Sequence, residues 1–440
     1  MREQQTPVII WLGSKIFIEG PIKLCAYSAE ILYDNLIASK NTKQKIRSKQ
    51  LKSKKKTKKK KALGVNTRSG KVVYFKMIRT QRHTILIGSS GYGKTNTIIL
   101  IIIDRLEQGL PVIFFDPKAD FQAMSEFIKV CHEYGNEPLV FSETYPNSIK
   151  INPLRNGSVN QIKDRIMEAF VWTEEYYRDV ASSTLTQIIW ELKNENVPVS
   201  LRSIYDLLVL KYDNKDTAGL KAKLGSIIFS DFGPLLEESE NTYTIDDVRR
   251  LGLCLYIGLS TQGYGETARA VGKMITGDLI YHSYKTLTQD MISHGEELKP
   301  LSVIFDEFGS ILTPRFIELL NKCRGAKIEL TMAVQSVSDL DIYGRTLANQ
   351  IMENCSNWII LKQRLAENAS MLAESIGTYT TAKETKVIER GSETENGSVR
   401  EVHELLVHPN IIKNLRVGQC ILLQQDPFSV MHINIRKADI

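Results

Sequence analysis

Gly88-Ser89-Ser90-Gly91-Tyr92-Gly93-Lys94-Thr95 spells G-x-x-x-x-G-K-T, the spacing of a phosphate cradle. Gly88, Gly91 and Gly93 let backbone N–H groups turn inward and approach phosphate oxygens without a Cβ in the way. Lys94 has the length to reach the β- and γ-phosphates of a nucleotide, and the Thr95 hydroxyl is a hard oxygen ligand for Mg²⁺. Hydrolysis asks for more than a cradle: a carboxylate to hold the metal and a second to polarise an attacking water. The apolar run Leu301-Ser302-Val303-Ile304-Phe305 ends in Asp306-Glu307, two acids in position for these two roles. A further apolar run, Ile328 to Val334, ends in Gln335, whose amide could contact both a γ-phosphate and its water. Arg324 lies between the two runs. A planar cation there, supplied from a neighbouring subunit, would stabilise the spreading charge of phosphoryl transfer. Arg315 and Lys327 are alternatives by position.

The elements that must position these residues follow from the hydrophobic pattern. His83 to Ile87 has strand length and feeds directly into the glycine loop. Asn96 to Ile103 then reads as a buried helix, and strand, loop, helix is the context a phosphate cradle needs. Val112 to Phe115 is a second buried strand, ending in Asp116-Pro117-Lys118-Ala119-Asp120. Asp116 or Lys118 could touch the nucleotide or its metal, or Asp120 could simply cap the next helix. Leu139 to Phe141, Leu253 to Leu259, Leu301 to Phe308, Ile328 to Gln335 and Trp358 to Leu361 read as further strands. Val72 to Phe75 reads as part of a hairpin, 378–404 as a flexible hairpin, and Cys420 to Leu423 with Met431 to Ile435 as closing strands. The pattern is α/β with a mostly parallel sheet.

Residues 157–240 differ. Leu185, Ile188, Ile189 and Leu192 recur at helical spacing, as do Ile204, Leu207 and Leu208, and strand runs are absent. This predicts an all-α domain inserted into an α/β core made of 63–156 and 241–440. Its aromatics Trp172, Tyr176, Tyr177 and Trp190 are expected in its core rather than as base-stacking platforms.

At 440 residues with 42 % hydrophobic and 24 % charged, the chain is long enough for two or three domains and has the balance of a globular protein. The six cysteines are scattered with no C-x-x-C pair, which argues for small buried residues in a reducing compartment and against a disulfide frame or zinc site. The net charge of +7 is local. Twelve Lys or Arg and no acid lie between Lys43 and Lys61; without them 45 basic residues face 50 acidic ones. The tract 41–61 in the N-terminal extension 1–62 is either a phosphate-binding arm, for DNA or an anionic membrane surface, or a solvated linker. Ile22 to Ile37 has the look of a short helix. No window offers the ~18 uninterrupted apolar residues of a membrane span, which leads us to expect a cytoplasmic protein, with the basic tract as a means of peripheral contact at the inner face of the cell membrane.

In order along the chain, GSSGYGKT, FFDPKADF, INPL, the helical insertion, LCLYIGLS, IFDEFG and MAVQS resemble the type IV secretion coupling proteins, conjugative DNA-transfer ATPases of the HerA/FtsK-type translocase group. The resemblance covers about 80–376, with an echo at Leu415-Arg416-Val417-Gly418-Gln419. It implies a RecA-like P-loop ATPase core, ATP and Mg²⁺ as cofactors, and a homohexameric ring with a DNA-conducting channel. It also implies type IV secretion and relaxosome proteins as partners. Lys94, Thr95, Asp306, Glu307, Gln335 and Arg324 inherit nucleotide roles by this match. The function it implies is ATP-driven pumping of DNA or a protein–DNA substrate into a conjugation channel. The alternatives are a packaging or segregation pump of the same motor class, or a substrate receptor or adaptor that uses ATP structurally.

Overall fold

The computed structural model describes residues 62–74, 82–239, 242–290, 299–389 and 392–438. The helix expected at Ile22 to Ile37, the basic tract 41–61 and Cys25 lie outside the described residues. In chain order, β1 (Ala62–Asn66) and β2 (Val72–Tyr74) form an antiparallel pair; β3 (His83–Ile87) leads through the glycine loop into helix α1 (Lys94–Glu107). β4 (Val112–Asp116), α2 (Phe121–Glu133), β5 (Pro138–Phe141) and the two-residue β6 (Lys150–Ile151) follow. Then come helices α3 (Val159–Ala169), α4 (Glu175–Asn194), α5 (Leu201–Leu207) and α6 (Ala218–Ile228). The chain returns through β7 (Thr242–Tyr243), α7 (Ile245–Arg250), β8 (Cys254–Gly258) and the long α8 (Thr261–Lys285). β9 (Leu301–Phe305), α9 (Phe316–Lys322), β10 (Ile328–Val334), α10 (Arg345–Asn354), β11 (Cys355–Ile360) and α11 (Ala366–Ile376) come next. The hairpin β12 (Thr378–Glu389) and β13 (Ser392–Leu405), α12 (Pro409–Asn414), β14 (Gln419–Gln425) and β15 (Phe428–Ile435) end the described chain.

Two compact units result. One consists of the described residues among 82–87, Lys94–Asn357 and Ala438. In it β3, β10, β9, β4, β8 and β5 lie side by side in that order, every adjacent pair parallel. Each of β3, β4, β8, β9 and β10 is buried along its whole length, so these strands read as unbroken apolar runs rather than alternating ones. α1 is apolar nearly all round from Ile98 to Ile103 and is correspondingly buried. The excursion into α3 to α6 leaves and returns through the parallel pair β6 and β7, and Ser158 opens it with a capping box to Gln161.

The aromatics of that excursion do not sit where the sequence led us to expect. Tyr176 is 59 % exposed and Trp190 60 %, with Tyr177 also exposed. The reason is periodicity: α4 turns Ala181, Thr184, Leu185, Ile188, Ile189 and Leu192 inward, and Trp190 falls about 200° from Ile188. Trp172 is half-buried and donates its indole N–H to Met167 O at 2.8 Å.

The other unit consists of the described residues up to Tyr74, Gly88–Gly93 and Trp358–Lys437. Here β2, β1, β15 and β14 form an antiparallel ladder, and β12 pairs with β13 as the expected hairpin. Cys131, Cys254, Cys323, Cys355 and Cys420 are buried. Among the described residues no helix is long and apolar enough to cross a membrane.

Candidate nucleotide site

In a parallel sheet the carboxyl ends of all strands open on one edge, and the loops there carry the site. Register places the candidate side chains on that edge. Phe115 on β4 pairs with Phe305 on β9, Met332 on β10 also pairs with Phe305, and Val334 pairs with Ile87 on β3. Asp116, Asp306 with Glu307, and Gln335 therefore leave adjacent strands side by side. Beneath Glu307 an aromatic stack supports the turn: Phe115 on Phe305 with ring centroids 4.6 Å apart, and Phe308 on Phe316 at 4.5 Å.

Glu307 is the point of convergence. Its backbone takes the left-handed conformation, φ +41°, which a non-glycine residue adopts only under constraint. Its Oε1 is 2.7 Å from Lys118 Nζ and accepts a hydrogen bond from Gln335 Nε2 at 3.1 Å. The Gln335 backbone is held in turn, because its N–H donates to Asp339 Oδ2 at 2.7 Å. Asp339 belongs to a capping box with Ser336 that opens the short helix Val337–Tyr343. The spacing Ser336-x-x-Asp339 was a readable sign of this.

Asp306 is 5 % exposed, and its Oδ1 accepts the Glu307 N–H at 2.9 Å. Burial pushes its carboxyl up, while Lys118 and Lys94 pull it back. Lys94 is buried at the start of α1. Desolvation lowers its ammonium, with Asp306, Glu307 and Asp339 opposing and Lys118 reinforcing. Buried Lys94 and the more exposed Lys118 thus face the carboxylates of Asp306 and Glu307. Oxygen donors at Thr95 and Asp306 suit a hard divalent cation such as Mg²⁺. Thr95 is exposed, so its hydroxyl is accessible. Asp306 Oδ2 takes no hydrogen bond from a described residue. Among the described residues no three or more His, Cys, Asp or Glu side chains come together as a metal site.

The turn after β4 resolves the choice left open by sequence. Asp116 Oδ1 accepts from Lys118 N at 3.0 Å; its Oδ2 accepts from Asp120 N at 3.0 Å and from Tyr256 O–H at 2.7 Å. It is committed to holding its own loop. Asp120 caps α2, its Oδ1 accepting from Gln122 N and Ala123 N. Lys118 is the residue this turn presents to the site.

The glycine loop is built into the second unit. Ser89 N donates to Lys362 O at 3.0 Å, and Gly418 N to Tyr92 O at 3.3 Å, so the Arg416-Val417-Gly418-Gln419 echo backs the loop directly. A Cβ on Gly88 would stand 2.5 Å from Leu361 Cβ, whereas Gly91 needs its φ of +83° and meets nothing. The Tyr92 ring faces two cations, Lys362 Nζ 5.2 Å and Arg364 Cζ 5.9 Å from its centroid. Ser90 and Gly93 complete the loop.

Comparisons with known proteins bear on the fold that carries this arrangement. Residues 62–246 match the family model of the central domain of the helicase HerA, and 300–416 match the model described as the TraM recognition site of TraD and TraG. These two matches make the chain similar to the coupling-protein group of HerA-type P-loop ATPases. The bacterial conjugative coupling protein TrwB, in an unbound crystal form, is similar with a TM-score of 0.65 and 15 % identity over 87 % of this chain and 90 % of that one. TrwB in complex with ADP and Mg²⁺ gives 0.61 and 15 % over 82 % and 86 %. VirB4 of Thermoanaerobacter pseudethanolicus gives 0.58 and 14 % over 86 % and 96 %. At these identities the likeness speaks for the fold, an α/β P-loop ATPase core. No curated protein sequence matches the chain.

Arg324, expected to act from a neighbouring subunit, lies away from the site of its own chain. Arg324 is exposed and precedes β10, whereas Gln335 follows it. Seven strand residues at about 3.3 Å each put roughly 20 Å between the two ends, so Arg324 cannot serve the site of its own chain. Arg315 is engaged with Glu168 at 3.4 Å.

Proposed function

We propose that this chain is an ATP-hydrolysing motor that recruits DNA, or a protein–DNA substrate, and pumps it into a type IV secretion channel. The observation that carries the reading is the convergence of Lys118 and Gln335 on Glu307 beside buried Asp306 and Lys94. The glycine loop and Lys94 would hold the phosphates. Bound Mg²⁺, held from Thr95 and Asp306, would offset charge on the β- and γ-phosphates. Glu307 polarises the attacking water, and Gln335, bonded to the same carboxylate, reports the arrival and loss of the γ-phosphate.

Arg324 fits only as a contribution to a neighbouring subunit, which asks for a ring, and we assign a homohexamer. Helices α3 to α6 constitute the inserted all-α domain, with 157–240 as its limits. The stretch 300–416, whose family is described by TraM recognition, is where we place relaxosome proteins. The tract 41–61 supplies a sequence-independent, salt-sensitive grip on DNA phosphates or on an anionic membrane.

The test is ATP hydrolysis with and without single- and double-stranded DNA for wild type, Glu307→Gln and a deletion of 41–61. DNA stimulates wild-type turnover. Glu307→Gln retains nucleotide binding and loses roughly 10²–10⁴-fold in rate, the worth of a positioned general base. The deletion weakens DNA dependence most at low salt. Turnover indifferent to DNA would defeat the motor in favour of an adaptor that uses nucleotide structurally.

A further inference from the structure

Lys118 belongs to neither the phosphate cradle nor the carboxylate pair, yet its ammonium is 2.7 Å from Glu307, the carboxylate to which we assign the attacking water. Everything behind it is fixed. Its backbone N–H is tied to Asp116 Oδ1, and Ala119, next in the turn, has a φ of +49°. Pro117 O accepts from both the N–H and the hydroxyl of Thr261, at 2.8 and 2.7 Å. The Asp116 carboxylate that organises the turn is clamped by the buried Tyr256 hydroxyl. A lysine on such a base loses little freedom when it forms its ion pair.

Glu307 needs that partner. Its backbone is held in a sparsely populated conformation, and its side chain is 23 % exposed. Lys118 and Gln335 both engage Oε1, and among the described residues nothing bonds to Oε2. One oxygen is anchored twice while the other is left to meet a water. Gln335 alone would hold Oε1 from one side; two donors, from the turns that follow β4 and β10, hold it from two.

We infer that Lys118 is a positioning residue for hydrolysis, acting through Glu307: it anchors Oε1 so that Oε2 faces the attacking water. This rests on the reading of Glu307 as the water-polarising carboxylate. Lys118 does not bind the nucleotide in this scheme, so its removal misplaces the carboxylate without weakening substrate binding.

The experiment compares wild type, Lys118→Met and Lys118→Arg for kcat and for the KM of Mg-ATP, with nucleotide affinity measured separately by fluorescence titration. Lys118→Met is expected to lower kcat about 10–100-fold with KM and affinity within about 2-fold of wild type, and Lys118→Arg to recover most of the loss because it restores a donor cation. The Lys118 side chain is 45 % exposed, so neither variant threatens the fold; unchanged thermal melts verify this. A kcat unchanged in Lys118→Met overturns the inference. So does a rise in KM that matches the loss in kcat/KM, which would make Lys118 a phosphate ligand. Failure of the underlying reading looks different: Glu307→Gln would then turn over like wild type.

Discussion

Acid should loosen the two strands that present the glycine loop and Gln335, and the agent is His83. This residue opens β3 and is 4 % exposed. Its Nδ1 accepts the Leu330 N–H of β10 at 3.1 Å, and its Nε2 faces Leu320 O at 3.2 Å. These partners require the neutral ring with the proton on Nε2. A second proton would set an N–H against the Leu330 N–H. Burial is the main reason the imidazole is depressed from 6.5 to about 4, and nearby Arg324 adds to it, against Leu320 O and Glu329. Between these two values the unfolded chain binds a proton that the folded chain refuses, so stability is full above pH 6.5 and is lost as pH falls toward 4. At pH 5 the unfolded ring is almost wholly charged and the folded one about a tenth charged, which costs about 2 kcal/mol relative to pH 7. Urea unfolding of wild type and His83→Leu at pH 5 and pH 7 isolates this. The variant is less stable at pH 7, having lost two hydrogen bonds, but between the two pH values it should lose about 2 kcal/mol less than wild type. Carboxylates and the buried His432, also depressed to about 4, act equally in both proteins. Equal losses in the two would refute the argument.

Two further substitutions test how the scaffold is held. Arg105 on α1 is buried and pairs with both Asp104 and Glu329 of β10; Arg105→Met removes the cation that two buried carboxylates share and should cost about 3–5 kcal/mol in denaturant unfolding, with Arg105→Met/Glu329→Met recovering part of it. The glycines of the phosphate loop should fail in different ways. Gly88→Ala drives a methyl into Leu361 and loses about 1–3 kcal/mol of stability. Gly91→Ala meets no atom, costs about 1 kcal/mol of backbone strain and shows its effect chiefly as weakened nucleotide binding.

Much of the site was legible because its signals are local. G-x-x-x-x-G-K-T between an apolar strand and an apolar helix, and an apolar run ending in Asp306-Glu307, each depend on residues a few positions apart. Gln335 was legible for the same reason. What escaped was pairing across the sheet. Nothing in Asp116-Pro117-Lys118 announces that its lysine, and not its aspartate, reaches the site, because the choice depends on Tyr256 far along the chain. The surface placement of Trp190 was missed by weighing residue type over helical phase.

Strand identity, the buried character of the parallel strands, the cradle and its two acids were written in the sequence, because apolar periodicity and glycine spacing act over a single element. The order of the strands, the meeting of Lys118 and Gln335 on one carboxylate oxygen, and the placing of Arg324 at the far end of β10 were decided only by tertiary structure. Those outcomes depend on which strands lie adjacent and in what register, and adjacency is settled by burial of the whole sheet, to which every element contributes and which no single stretch encodes.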